Sequence, residues 1–165
     1  MGDESETQDL SRRYCQALDA EIDAAHDYFL YISEMKLAIA SLGMAVASGI
    51  RLQATREILD MADTLYQNIT DPDSTLPDNQ RKQLNHAEEV WLDMKDKMSK
   101  GDQRAASLLS AHAFMEKAVV HLVACKKDEM FKDIITDYLV NYLEKLSVFI
   151  YREAMASFIS DIYRK

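Results

Sequence analysis

The chain has little of what turns a backbone. Its 165 residues include only 4 glycines and 2 prolines. An all-β sandwich or barrel needs turn chemistry at every strand end, so this scarcity argues against one. Cysteine is nearly as scarce: Cys15 and Cys125 stand alone, with no Cys-x-x-Cys pair. That excludes a disulfide framework and points to a reducing compartment. Both cysteines read as small core residues. The longest uncharged run, Leu37 to Ile50, is 14 residues, too short to span a bilayer. Catalytic signatures are missing too. There is no Gly-x-Ser-x-Gly, no P-loop and no Cys–His pattern. Asp71-Pro-Asp73 lacks the central glycine and closing glutamate of a calcium loop.

Positive charge is outnumbered, with 19 basic against 28 acidic residues and a net charge of −9. The excess is local. Asp3, Glu4, Glu6 and Asp9 open the chain, and Asp71, Asp73 and Asp78 share one short segment. The remaining body carries only −2. No basic patch clusters anywhere, so nucleic acid is not an expected partner. The acidic, polar start is unlike a signal peptide, and a cytoplasmic location is the expectation.

What is present is an ordinary globular balance, 48% hydrophobic and 28% charged. The length suits one domain with a sizeable core. Residues 1–8 read as an acidic flexible tail and 9–165 as a single helical domain, with a loop at 71–78 that holds both prolines. Apolar residues recur at helical spacing over 9–70: Cys15, Leu18, Ile22, Ala25, Phe29, Ile32 and Ile39, then Ile50, Ala54, Ile58, Met61, Leu65 and Ile69. Gly43 bends or ends this run. One helix or two is left open, and two are favoured because a helix of 60 residues needs an equally long partner.

Asp78 is expected to cap a third helix reaching about 99, with Leu84, Ala87, Trp91, Met94 and Met98 on one face. Gly101 suits a left-handed turn and Asp102 a cap for the next helix. That helix, 103–125, shows Ala105, Leu108, His112, Met115, Val119 and Leu122 in a stripe. The polar run Lys126 to Glu129 breaks the register. A last helix, about 128–163, is apolar over most of its circumference and is therefore expected to be the central element. The fold class is all-α, an antiparallel bundle of about five helices with no strand.

Three histidine–carboxylate pairs share helix faces: Asp23 with His26, His86 with Glu89, and His112 with Glu116. A transition metal held by His112, Glu116, Asp23 and His26 is one reading. Against it, di-iron bundles use two Glu-x-x-His motifs, and none occurs here. A hydrogen-bonded histidine at the edge of the core is the simpler reading. No cofactor is expected.

Small residues recur four apart in the 37–50 run: Ser41/Ala45, Gly43/Ala47 and Ala45/Gly49. They suit a close helix crossing, within one chain or between two. The last helix carries Tyr151, Met155, Phe158 and Tyr163, residues common at interfaces and in cores. Gly43, Ala47 and these four are the candidate interface. The leading expectation is a non-catalytic helical protein acting through protein–protein interaction, in an adaptor, regulatory or assembly role, as a homo-oligomer of two. The alternatives are a metal- or cofactor-binding bundle (an oxidase or sensor) and a small-molecule sensor with its pocket between helices.

Overall fold

Most elements begin or end where a side chain satisfies the loose backbone groups. A computed structural model describes residues 9–49, 52–69, 75–86, 94–99 and 101–162. Strands β1 (Arg12–Cys15) and β2 (Ala20–Asp23) come first. Then follow α1 (Asp27–Ala47), α2 (Leu52–Gln67), α3 (Asp78–Asn85), α4 (Met94–Met98), α5 (Gln103–Lys126) and α6 (Asp137–Ile162). The tail 1–8, residues 71–74 of the loop, Ala87, Glu89 and Trp91 lie outside the described residues.

The molecule is mostly helical and bundle-like. Helix α1 packs on α5, α5 on α6, α6 on α2, and α2 back on α1. Short α3 rests on α6, where Lys145 Nζ donates to Asn85 Oδ1 at 2.7 Å. Tyr31, Met35 and Leu42 of α1, Ile58, Met61 and Leu65 of α2, Met115 and Leu122 of α5, and Leu143 and Leu146 of α6 are all buried in one core. Across α1 and α5 the rungs run in opposite senses. Ser41 meets Ser110, Glu34 meets Lys117, Asp27 meets His121, and His26 meets Asp128.

The largest departure from expectation is a β-hairpin where a helix was read. Cys15 pairs with Ala20 and Arg12 with Asp23, antiparallel. Alternation decides the faces: Cys15 and Ile22 are buried, while Tyr14, Glu21 and Asp23 are exposed. Asp19 closes the turn at φ 49, a left-handed conformation that a short polar side chain tolerates. Its carboxylate accepts from the Tyr14 hydroxyl at 2.5 Å.

Six further expectations shift. The true core face of α1 is Tyr28, Tyr31, Met35, Ala38, Leu42 and Ala45, and Phe29, Ile32 and Ile39 fall at its edge. Gly43 lies inside α1, which ends instead at Ala47. Asp78 is a first-turn residue behind Pro77, paired with Arg81 at 2.9 Å, not a cap. The third helix stops at Asn85. The last helix starts at Asp137, not 128, because Asp128 folds 128–131 into turns by accepting from Met130 N at 3.0 Å, and Thr136 Oγ1 accepts from Leu139 N. Nor does α6 occupy an axis. Asn141, Glu144 and Arg152 give it an exposed side, so it holds one corner of the ring. Gly101, at φ 70, and Asp102, whose Oδ1 accepts from Arg104 N and Ala105 N, do end one segment and begin α5 as read.

Candidate functional site

A helix with one face in a core is expected to turn polar residues outward. Helix α1 does not. Its exposed residues are Leu30, Ser33, Lys36, Leu37, Ala40, Met44 and Ala47. The only charge among them is Lys36. Leu30, Leu37 and Met44 stand seven apart and are 43%, 44% and 55% exposed. Ser33, Ala40 and Ala47 each follow one of them by three residues. This is an apolar seam of the kind that faces another helix.

The seam continues onto α5. Ala106, Ala113, Val120 and Val123 are exposed there, with Val120 at 66%. Glu34 and Lys117 link the two helices at 3.1 Å. Beyond α5 lies a groove of about 390 Å³ against α6, lined by Glu116, Val119, Val120, Glu144, Ser147 and Val148. Three valines and Ser147 line it together with two carboxylates. Helices α1 and α5 are also the two described helices long and apolar enough, by length and composition, to cross a membrane. Core helices pass the same test.

Sequence-selected residues fall in three places. His112 is held by α6: Nδ1 donates to Ser147 O at 2.8 Å, and its ring lies 5.0 Å from that of Tyr151. Its Nε2 is 3.4 Å from Glu116. His26 belongs to the far end of α5. Its Nε2 is 2.8 Å from Asp128 Oδ2, and its Nδ1 accepts from Tyr28 N at 3.1 Å, capping α1. Asp23 accepts from Ala25 N at 2.8 Å. Lys126, at the end of α5, is fourteen residues from His112, so the two histidines stand roughly 20 Å apart along the helix. His112 and Glu116 therefore do not converge with Asp23 and His26. Among the described residues no group of three histidines, cysteines or carboxylates is placed to hold a metal.

The interface candidates divide. Tyr151 and Met155 are buried in the core, at 6% and 2%, because their face of α6 turns toward α5 and α2. For these two the structure shows the core placement, one of the two readings that their residue types allowed. The side chain of Phe158, and Tyr163, lie outside the described residues. Ala47 is exposed and Gly43 half-buried, both on the outward side of α1. A Cβ on Gly43 would meet nothing within 4 Å, so no close crossing among the described residues requires it. Sequence reading missed Leu30, Leu37, Met44 and Val120. The seven-residue spacing opposite the Tyr31–Met35–Leu42 face was the signal available.

Three buried groups among the described residues are held in their protonated forms. Burial pushes the Cys125 thiol up to about 12, which keeps it protonated and inert. Burial likewise raises the Tyr28 hydroxyl to about 12 and the Tyr31 hydroxyl further.

Residues 14–156 match the family model of a domain of unknown function, DUF1940. The chain belongs to the DUF1940 family. The DUF1940 match starts inside β1 and ends inside α6, so it spans the hairpin, the seam and the groove. Among curated proteins, none matches the chain.

Proposed function

We propose that this chain is a non-catalytic, cytoplasmic helical protein that works by binding protein, and that it pairs with a second copy of itself through the outer faces of α1 and α5. The observation that carries the reading is the seam Leu30–Leu37–Met44, exposed beside Val120, with Lys36 the one charge among the exposed residues of α1. Apolar surface of this extent normally meets a partner. Charge complementarity favours a second copy. The seam offers Lys36, and the neighbouring groove offers Glu116 and Glu144. Both lie on adjoining helices, so a two-fold axis brings each seam against the other copy's groove. The two carboxylates of the groove and the net charge of −9 disfavour nucleic acid and an anionic lipid surface. Two buried free thiols support the reducing compartment. The opposed rungs along α1 and α5 support an antiparallel bundle as the frame that presents the face. A metal-binding or sensing bundle gains no such support, since His112 and His26 stand at different levels.

Light scattering and native mass spectrometry test the reading. The wild-type chain of 18.9 kDa is expected at twice its mass in the micromolar range. Leu37→Asp is expected to weaken self-association at least about tenfold, as a charge placed on a buried seam does. The pair Glu116→Lys with Glu144→Lys should do the same, and adding Lys36→Glu to that pair should restore the dimer. A chain that stays monomeric at high micromolar concentration overturns the homodimer, and one that also floats with lipid vesicles assigns the face to a membrane surface.

A further inference from the structure

Two charged residues are buried in the described core, and only one is paired. Glu34, 7% exposed, has Lys117 at 3.1 Å. Arg104, 3% exposed, has no hydrogen-bond partner at Nη1 or Nη2 among the described residues. Its neighbours on the inward side of α5, Ala105, Ser107 and Leu108, are buried with it. A lysine in such a place would shed its proton. A guanidinium does not, so its charge stays and must be answered.

Nothing on its own helix answers it. Asp102 stands two residues away, but Oδ1 is committed to Arg104 N and Ala105 N at 3.0 Å each. The other oxygen, Oδ2, is itself buried without a partner. The first turn of α5 thus holds two unfilled groups of opposite kind. One is a fork of N–H donors carrying positive charge. The other is a carboxylate oxygen that needs a donor. Register places them away from the end of α5 where His26 meets Asp128. His112 faces Ser147, so Arg104, eight residues earlier, stands at the level of Met155, eight residues later.

We propose that Arg104 and Asp102 form a binding site for a protonated phosphate group. Two phosphate oxygens accept from Nη1 and Nη2, the bidentate geometry that a guanidinium fork favours. The remaining P–OH donates to Asp102 Oδ2. A carboxylate or sulfate ligand satisfies the guanidinium at neutral pH but carries no proton for Oδ2. The helix end itself is not the receptor, since Asp102 already occupies its amides. The inference stands apart from self-association, because Arg104 is not on the seam.

Calorimetric titration and thermal melts of the full chain test it, with inorganic phosphate, a small phosphomonoester and sulfate as separate probes. Phosphate should raise the wild-type melting temperature by several degrees at about a hundred times its dissociation constant. Sulfate should bind at least about tenfold more weakly, the discrimination expected when a buried acceptor is left unfilled. The phosphomonoester arm, run near about pH 5 where the monoester keeps its P–OH, separates a free-phosphate site from one open to a larger ligand, and either result supports the site. Arg104→Met should remove the phosphate response, and Arg104→Lys, which keeps the charge but loses the fork, should weaken it about tenfold. Asp102→Asn, still a good cap, should let sulfate bind as well as phosphate. Equal responses of wild type and Arg104→Met would reduce the effect to general salt exclusion and overturn the site. So would an unresponsive wild type, whose guanidinium is then neutralised by a carboxylate of the chain itself.

Discussion

Where α1 begins and α5 stops, charges meet partners across element boundaries. His26 holds Asp128, His121 holds Asp27 at 3.0 Å, and Lys126 holds Asp137. Phe131 and Tyr28 pack beneath them, their rings 5.5 Å apart, and the hairpin folds alongside. Where α5 begins, Nη1 and Nη2 of Arg104 are buried with no hydrogen-bond partner among the described residues. The difference is one of chain placement. At the first end the pairing groups sit on separate elements, so each contact also staples two pieces of structure together. At the second, the nearest acid in sequence is two residues away on the same helix and is already occupied as a cap.

Three substitutions break or sharpen that contrast. Phe131→Ala should have the largest effect. Phe131 is fully buried, 5.0 Å from the His26 ring, and its loss should cost about 3–5 kcal/mol in urea unfolding while loosening the clasped end first. Lys117→Met should cost less, about 1 kcal/mol, because Lys117 is mostly exposed and water reaches it. It would turn Glu34 into a second Arg104, a buried charge without a counterpart, and Glu34→Gln on that background should recover most of the loss. The smallest effect is confined to acid. The hydrogen bond from His26, then that from Met130 N, lowers the Asp128 pKa below the usual 3.8. A lowered folded-state value means stability that is present above the unfolded pKa and lost as pH falls through the folded one. Asp128→Asn should therefore flatten the loss of melting temperature below about pH 4 and leave the slope at neutral pH unchanged.

The helical class was legible because periodic residues such as Leu108, Met115 and Leu122 are buried where their spacing placed them. Gly101 and Asp102 were legible because left-handed turns and caps depend on residue type alone. The hairpin was not. Its turn, Gln16-Ala-Leu-Asp19, carries no glycine, and Cys15, Leu18, Ile22 and Ala25 happen to keep helical spacing. Strands of four residues leave too short an alternation to outvote that pattern. The seam was hidden for a related reason. With apolar residues on both sides of α1, spacing alone does not say which side meets the core. Arg104 was invisible because a charged residue in a first helical turn reads as surface until its burial is known.

His26 serves two neighbours with one imidazole, and this fixes its hydrogen. Tyr28 N–H points at Nδ1, so that nitrogen keeps its lone pair, and the proton sits on Nε2 facing Asp128. The ring is held in one tautomer by the fold. The Tyr28 amide is consequently a built-in reporter of that arrangement, and its hydrogen exchange should quicken in His26→Ala, which removes the ring acceptor.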